Sequence, residues 1–254
     1  MQLDAFALSI AGRRTNNEDA VCARPELGLF VVADGLGGYE GGEIASSVTV
    51  ETISDLVRRT ASDHDVTWPY AIDRGRSIDE NLVIIATKLA HDRIVARRSG
   101  IHDSMGSTVA LVQFPAGATS IDNRIVIGHC GDSRVYRLRD GALSQLTADH
   151  SLANQMIAAG MVLDANFPYR HIITRALGLG SADADVQRAV AVSGDVYLLC
   201  SDGLYEGLEP AEMAALLDPV THGHSIADVC RRLVAAAFEA GSRDNISAVV
   251  VRAC

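Results

Sequence analysis

The sequence predicts an α+β protein with antiparallel sheets, for three reasons. Short runs rich in Val, Ile and Leu, bounded by Gly, Asp, Ser or Asn, are typical of strands. Two of these runs, 124–130 and 134–139, are separated only by Gly-Asp-Ser, which predicts a hairpin. The helical patterns are grouped and do not alternate strictly with the strands, so a doubly wound parallel sheet is disfavoured.

Six strands are expected. Each is a run of β-branched, aliphatic or aromatic residues, and Leu-Phe-Val-Val-Ala at 29–33 is apolar throughout, as in a strand buried on both faces. The expected strands are residues 27–33, 108–114, 124–130, 134–139, 196–200 and 248–252.

Four helices are expected, and the second has the clearest start. Ser77 and Glu80 have the spacing of a capping box, and apolar residues then recur at helical intervals over 82–94. The other helical patterns cover residues 42–59, 151–160 and 226–241.

The composition indicates one compact globular domain over residues 1–254. The chain has 48% hydrophobic and 21% charged residues, which is ordinary globular usage, and its length suits one large domain. The polar segment 60–76 holds Trp68, the only tryptophan, and is expected to connect two helices and not two domains. A net charge of −10 opposes binding to the nucleic-acid backbone, so no nucleic-acid partner is expected.

Cysteine usage and hydropathy favour a reducing compartment. Cys22, Cys130, Cys200, Cys230 and Cys254 are scattered and form no C-x-x-C pair, which argues against both a disulfide framework and a zinc knuckle. The amino terminus has no basic-then-apolar leader, and no stretch reaches the roughly 18 apolar residues of a membrane helix. We therefore expect a cytoplasmic protein with no membrane partner. A monomer is also expected.

Carboxylates stand at the ends of several predicted strands. The buried run 29–33 stops at Asp34, and five glycines follow within eight positions. A cluster of ionised carboxylates beside an apolar core is costly unless protons or cations neutralise it. A hard divalent cation is the simplest explanation. The carboxylates concerned are Glu18, Asp19, Asp34, Asp132, Asp202 and Asp244.

The ligand types favour Mg²⁺ or Mn²⁺ over zinc, because all are oxygens and the eight histidines show no H-x-x-x-H spacing. Glycine beside an aspartate, as in Asp34-Gly35 and Asp202-Gly203, lets a backbone carbonyl or a water approach an ion. Simpler explanations of the single motifs also exist. Asp-Gly is an ordinary turn former at any single site, and the glycine-rich loop lacks the G-K-[ST] ending of a nucleotide-binding loop.

Nine motifs, in order along nearly the whole chain, resemble the metal-dependent protein phosphatases of the type 2C (PPM) family in its compact bacterial form. Each motif is modest alone, and their shared order makes the resemblance specific. They are R-T-N-N-E-D-A at 14–20, V-V-A-D-G-L-G-G at 31–38, G-E-I-A-S at 42–46, M-G-S-T at 105–108, G-D-S-R-V-Y at 131–136, L-T-A-D-H-S at 146–151, I-T-R-A-L-G at 173–178, C-S-D-G-L at 200–204 and R-D-N-I-S at 243–247.

The resemblance implies a four-layer α-β-β-α sandwich of two antiparallel sheets flanked by antiparallel helices, with metals in the cleft at one edge. It implies hydrolysis of phosphoserine and phosphothreonine by a water held between two Mn²⁺ or Mg²⁺ ions, without a phosphoenzyme. A third, weaker ion is implied for bacterial members. The implied partners are phosphorylated proteins and a eukaryotic-type serine/threonine kinase whose action the enzyme would reverse.

The resemblance also assigns the core metal ligands. Asp34 matches the ligand that bridges both metals, and Gly35 lends its carbonyl to one of them. Asp202 and Asp244 complete the other.

The remaining site residues follow from the same motifs. Glu18 and Asp19 would act mostly through metal-bound waters, and Asp132, with Asp202, resembles the ligand set of the third metal. Arg14 matches the arginine that grips the substrate phosphate, where its planar fork can reach two oxygens.

Other polar residues are expected to be structural. Thr108 should stabilise the backbone near the metals by hydrogen bonding, and Ser133 should fix the hairpin. His129 and His150 are expected to be packed or capping residues, and Ser151 to begin a helix.

The chain departs from part of the family at Leu36, where some members have a histidine proposed as general acid. The segment 161–171, which matches the mobile flap beside the bacterial active site, is short.

Two alternatives stay open: a catalytically silent binding protein, and a phosphatase acting on small molecules. An aspartyl-nucleophile phosphohydrolase is excluded, because it requires D-x-D-x-T where the chain has D-G-L-G-G.

Overall fold

The structure is a computed structural model that describes residues 1–37, 41–63, 66–100, 103–115, 123–164, 167–180 and 183–254. Within them the strands are Leu3–Ile10 (β1), Asp19–Arg24 (β2), Leu29–Leu36 (β3), Gly106–Ser107 (β4), Val109–Gln113 (β5), Arg124–Cys130 (β6), Arg134–Arg139 (β7), Ala142–Gln145 (β8), Asp185–Val190 (β9), Val196–Cys200 (β10) and Ile246–Ala253 (β11). The helices are Gly41–Ser62 (α1), Ile78–Val95 (α2), Leu152–Ala158 (α3), Asp202–Tyr205 (α4), Pro210–Thr221 (α5) and Ile226–Glu239 (α6), and a 3₁₀ turn covers Pro25–Leu27.

The strands form two antiparallel sheets. The first has the order β1-β11-β10-β7-β8, and the second has the order β2-β3-β5-β6-β9 with β4 paired to β3. All the pairings between these strands are antiparallel, as predicted.

Three layers of apolar side chains hold the sandwich together. Alternation along β3 shows how they arise, because Phe30 and Val32 point to the space between the sheets while Leu29 and Val31 point to α1 and α2. Helices α5 and α6 cover the outer face of the first sheet in the same way. The predicted four-layer α-β-β-α architecture is therefore confirmed.

The predicted hairpin of β6 and β7 is wrong. β6 pairs with β5 and β9 in one sheet, whereas β7 pairs with β10 and β8 in the other. A three-residue connection can either turn a strand back beside itself or lead it into a facing sheet, and sequence spacing does not distinguish the two. Gly131 makes the crossing with φ +108°, and a Cβ there would lie 2.6 Å from the Thr108 side chain.

The helix predictions hold well at the amino ends. Ser77 and Glu80 form the expected capping box, with Ser77 N–H donating to Glu80 Oε2 at 2.9 Å and Glu80 N–H donating to Ser77 Oγ at 3.2 Å. Ser151 caps α3 by accepting from Asn154 N–H. Helices α4 and α5 and strands β1, β2, β4, β8 and β9 lie outside the predicted elements. The segment 60–76 joins α1 to α2, and its residues 64–65 lie outside the described ranges.

The boundary of β3 differs from the prediction in a way that affects the site. The strand continues through Asp34 to Leu36 and does not end at residue 33. Asp34 is therefore paired with Asp19 of β2 on one side and hydrogen-bonded to Thr108 on the other. Among the described helices, none is both long and apolar enough to cross a bilayer.

Candidate metal centre

A polar cavity of about 380 Å³ opens where β3, the start of α4 and the loops before β2 and β11 meet. It contains six of the eight predicted site residues, while Asp19 and Asp132 lie just outside its lining. The lining residues are Arg14, Thr15, Asn16, Glu18, Asp34, Gly35, Leu36, Gly37, Ile173, Asp202, Asp244 and Asn245.

Asp34 has its backbone clamped by Thr108. The Asp34 N–H donates to Thr108 Oγ1 at 3.0 Å, and the Thr108 N–H donates to the Asp34 carbonyl at 2.8 Å. Ser133 Oγ lies 2.7 Å from the same hydroxyl. The expected backbone role of Thr108 is confirmed, and the arrangement leaves the Asp34 carboxyl group to the cavity.

Gly35 is required by the close approach of three backbone segments. A Cβ at this position would lie 2.0 Å from the Gly42 carbonyl oxygen and 2.6 Å from that of Glu18. Gly203 is similar, because its Cβ would lie 2.0 Å from the Asn245 carbonyl oxygen. Both glycines therefore let the site-bearing segments pack together. Residues 38–40 of the glycine-rich loop lie outside the described ranges.

Asp19 begins β2 and is directly paired with Asp34 on β3. Its Oδ2 accepts hydrogen bonds from Ser247 Oγ at 2.6 Å and Ser201 Oγ at 2.8 Å. Its Oδ1 is buried and has no hydrogen-bond partner among the described residues.

Asp202 and Asp244 approach from the other sheet. Asp202 is the first residue of α4, directly after β10, and its buried Oδ1 has no hydrogen-bond partner among the described residues. Asp244 lies just before β11, where its Oδ2 accepts from Arg14 Nη2 at 2.7 Å and its Oδ1 accepts from the Asn245 N–H at 2.8 Å.

Asp132 lies in the crossing from β6 to β7 and is only 5% exposed. Its Oδ1 is a third buried carboxylate oxygen that lacks a partner in the described ranges. Tyr205 donates to its backbone carbonyl at 3.2 Å, and the Arg134 guanidinium lies 3.5 Å from the Tyr205 ring centre. Arg134 is itself bound to Asp149 at 2.7 Å, so the position of Asp132 is well supported.

Burial and mutual repulsion raise the pKa values of these carboxyl groups. The pKa of Asp34 lies well above its usual value, first through burial and then through the charges of Asp19, Asp202 and Asp132. The pKa of Asp202 is raised in the same way, first by burial and then by the charge of Asp132. Burial raises the pKa of Asp19 to about 6, against the opposing hydrogen bonds from its two serines, and that of Asp132 to about 6.

Glu18 is held at the cavity wall by Asn245, which sequence reasoning missed. Asn245 Oδ1 accepts from the Glu18 N–H at 2.8 Å, and Asn245 Nδ2 donates to the carbonyls of Ala11 at 3.0 Å and Asn16 at 2.8 Å. Burial raises the pKa of Glu18, although Arg14 opposes the shift. The signal for Asn245 was its place directly after Asp244 in a strand-end motif.

The site fits hard divalent cations. Three buried carboxylate oxygens have no hydrogen-bond donor in the described residues, and the groups that bear them repel one another. Such oxygens are satisfied by protons or by cations, and an all-oxygen donor set suits Mg²⁺ or Mn²⁺.

A second group of potential ligands, His129, His150 and Asp185, lies apart from this cavity. His150 Nδ1 accepts from the Gly131 N–H at 3.1 Å, so its one proton is on Nε2, which lies 3.2 Å from Asp185. Burial lowers the pKa of His150, which keeps it neutral. The two rings stack with centroids 4.6 Å apart, as expected for packed histidines.

Ile173, two residues beyond the predicted flap of residues 161–171, lines the cavity. His171 Nδ1 lies 2.9 Å from Glu206 Oε1, which ties this segment to the end of α4. Leu36, at the position where some relatives have histidine, lines the cavity with an apolar side chain. Residues 165–166 of the flap lie outside the described ranges.

Known proteins resemble this chain in sequence. Serine/threonine protein phosphatase PstP of Mycobacterium tuberculosis is 32% identical over 243 residues, covering 93% of this chain and 42% of that protein. Protein phosphatase PhpP of Streptococcus pneumoniae is 30% identical over 253 residues, covering 95% of this chain and 94% of that protein. The chain thus spans less than half of the first relative and nearly all of the second.

Solved structures resemble it in fold. The crystal structure of Mycobacterium tuberculosis PstP/Ppp has a TM-score of 0.81 at 30% identity, covering 99% of this chain and 98% of that one. The catalytic domain of PstP in complex with two manganese ions has a TM-score of 0.78 at 30% identity, covering 98% and 97%. The family described as Protein phosphatase 2C matches residues 9–237. This chain belongs to the protein phosphatase 2C family.

Proposed function

We propose that this chain hydrolyses phosphoserine and phosphothreonine in proteins with the help of divalent metal ions. The observation that supports this most directly is the convergence of buried carboxyl groups, three of them with an unpartnered oxygen, beside a cavity that also contains Arg14. The named relatives at about 30% identity are serine/threonine phosphatases, which favours phosphoprotein substrates.

Asp34, the Gly35 carbonyl, Asp202 and Asp244 would hold the core ions, and Asp34 would be the ligand common to both. These groups come from two facing sheets, so the ligands belong to the sandwich itself and need no mobile segment. When bound, such ions lower the pKa of a water molecule and offset charge on the phosphoryl oxygens. Mn²⁺ or Mg²⁺ is the expected cofactor.

Three further carboxyl groups take outer positions. Glu18 and Asp19 would act through waters around the core ions, and Asp132 together with Asp202 would hold a third, weaker ion. The unpartnered Oδ1 atoms of Asp132 and Asp202 support this pairing, as does the dominant effect of Asp132 among the charges that raise the Asp202 pKa.

Arg14 orients the substrate phosphate. Its guanidinium is largely exposed at the cavity and is bound only to Asp244 in the described contacts. A planar guanidinium can donate to two phosphoryl oxygens at once, which fixes the ester relative to the carboxylates. Leu36 and Ile173 add apolar surface that limits water beside the reacting group.

The domain organisation, compartment and partners of the chain are also part of the proposal. Residues 1–254 form one catalytic domain, which the apolar layer shared by both sheets supports. The five free cysteines suit a reducing cytoplasm. The chain acts as a monomer on phosphorylated proteins and opposes a eukaryotic-type serine/threonine kinase.

Turnover assays test the proposal. p-Nitrophenyl phosphate and a phosphothreonine peptide are each assayed with Mn²⁺, with Mg²⁺ and with chelator, for the wild type and Asp34→Ala. We expect metal-dependent turnover of both substrates, lost in Asp34→Ala. Turnover that survives the chelator contradicts the metal mechanism, and metal-dependent turnover of the small ester alone favours a small-molecule phosphatase. No turnover of either, with metal bound, favours a silent binding protein.

A further inference from the structure

A chain of hydrogen bonds between the sheets ends on Asp19. Asn17 Nδ2 donates to Ser9 Oγ at 2.7 Å, and Ser9 Oγ lies 2.8 Å from Ser247 Oγ. Ser247 and Ser201 both contact Asp19 Oδ2, at 2.6 and 2.8 Å. Ser201 and Ser247 are fully buried. We call these four residues, Ser9, Asn17, Ser201 and Ser247, the hydroxyl chain.

Counting protons shows what the hydroxyl chain can supply to Asp19. A hydroxyl has one proton, and an ionised carboxylate only accepts. Ser247 can donate either to Ser9 Oγ at 2.8 Å or to Asp19 Oδ2 at 2.6 Å, and the contact with the charged acceptor is the shorter one. Ser201 accepts from the Ser247 N–H at 3.1 Å, so its own proton is also free for Asp19. The hydroxyls of Ser201 and Ser247 are thus the two donors within reach of Asp19 Oδ2.

The two oxygens of the Asp19 carboxylate therefore have different surroundings. Oδ2 receives two hydroxyl donors, whereas the buried Oδ1 receives none from the described residues. Donors on one oxygen fix the rotation of the carboxylate, and partners of this kind orient metal-ligating groups in other sites. The paired position of Asp34 across the strands puts the candidate core ligand beside this fixed carboxylate.

We propose that Ser201 and Ser247 are positioning residues for the metal centre, which hold the Asp19 carboxylate with its free oxygen available to the bound ions or their waters. This inference rests on the proposed metal-dependent function. The competing explanation is that the two serines only join β2 to the first sheet. In that case their hydroxyls affect folding stability but not metal affinity.

Calorimetric titration of the metal-free protein with Mn²⁺ separates the two explanations. The variants are Ser201→Ala and Ser247→Ala, and the control is Thr87→Val, which removes a buried hydroxyl bound to the Val83 carbonyl in α2. Urea unfolding in chelator gives the metal-free stability of each protein. The full chain is used throughout.

We expect each serine variant to bind Mn²⁺ about tenfold more weakly than the wild type, because lost outer contacts typically have effects of this size. Thr87→Val should bind like the wild type even if it is less stable. Folded serine variants with wild-type affinity overturn the inference, and if Ser247→Ala does not fold, Ser201→Ala decides. A wild type that takes up no Mn²⁺ overturns the proposed function, and this inference with it.

Discussion

Asp19 and Asp34 are directly opposed across β2 and β3, so two acidic side chains share one face of an antiparallel pair in the interior of the protein. Like charges in this relationship are destabilising, and burial makes the repulsion stronger. Burial is the first cause of the raised pKa values of both groups. The charge of Asp19 adds to the rise for Asp34, whereas a hydrogen bond with Asp34 lowers the pKa of Asp19. Burying these carboxyl groups therefore destabilises the metal-free protein, and bound cations would offset that cost.

The first prediction is that Asp34→Asn stabilises the metal-free protein. Replacing the Asp34 carboxyl group by an amide removes the cost of burying a charge and its repulsion by the neighbouring carboxylates, so we expect a gain of roughly 0.5 to 2 kcal/mol, as is common for stabilising substitutions. Urea unfolding at pH 7.5 in chelator measures it. With excess Mn²⁺ the order should reverse, since the wild type gains about 2.7 kcal/mol when metal is present at 100 times its dissociation constant.

Asp149→Asn is the matched control for that prediction. Asp149 is a partly buried carboxylate that is fully paired with Arg134, so its replacement should destabilise the protein with or without metal. If Asp34→Asn also destabilises the metal-free protein, repulsion within the cluster is not what limits its stability.

The sequence predicts those parts of the site whose residues stand beside a recognisable strand or turn in the chain. Asp34, Asp202 and Asp244 could be predicted to converge because each stands beside a strongly apolar strand, and ends of facing strands meet at a sheet edge. Thr108 was expected near the metals and does clamp Asp34.

The parts that could not be predicted are non-local. The crossing at Gly131 decides which sheet receives β7, and only the packing of two complete sheets distinguishes it from a hairpin. The two serines on Asp19 lie 182 and 228 positions away from it in the chain. No spacing rule joins residues so distant, and a buried serine leaves no pattern of its own in the sequence.

The second prediction concerns pH. Asp19 and Asp132 have a usual pKa of 3.8 and a folded value of about 6, so between these values the folded protein binds more protons than the unfolded chain. Stability then falls as pH rises. In chelator we expect the free energy of unfolding to be higher at pH 5.5 than at pH 7.5. Asp34 and Asp202 extend the fall further, because their pKa values are also raised.

Saturating Mn²⁺ should abolish or invert this trend, because cations compete with protons for the same oxygens. Unfolding at several pH values with Mn²⁺ provides the comparison. A metal-free protein whose stability instead rises from pH 5.5 to pH 7.5 would show that the carboxylates are not held protonated by burial.

The third prediction is that Gly35→Ala disrupts the site. The new Cβ would lie 2.0 Å from the Gly42 carbonyl oxygen in α1 and 2.6 Å from the Glu18 carbonyl oxygen in the loop before β2. Both are backbone atoms, so the substitution would force β3 away from these segments. We expect a loss of about 3 kcal/mol in stability, together with loss of turnover. Gly75→Ala is the control, since its Cβ meets only a side-chain oxygen at 3.2 Å and should change stability by less than about 0.5 kcal/mol.

The fourth prediction separates phosphate binding from metal binding at Arg14. Its guanidinium contacts Asp244 at 2.7 Å, so it acts either as a support for a metal ligand or as a phosphate donor. If it grips phosphate, Arg14→Ala lowers kcat/KM for a phosphothreonine peptide about 100-fold, since charged hydrogen bonds contribute about 1.5 to 3 kcal/mol each. Its Mn²⁺ affinity should not weaken, because a neighbouring positive charge has been removed.

Arg13→Ala tests whether general positive charge accounts for the effect. Arg13 lies over the Phe238 ring at 5.0 Å and donates to the Phe238 carbonyl at 3.3 Å, so it adds charge near the site without lining the cavity. We expect it to change kcat/KM less than about threefold, because exposed charges at that distance are screened. Arg14→Lys should recover only part of the loss, since an ammonium group lacks the planar fork. Weaker Mn²⁺ binding in Arg14→Ala, with kcat/KM restored by added metal, would instead make Arg14 a support for Asp244.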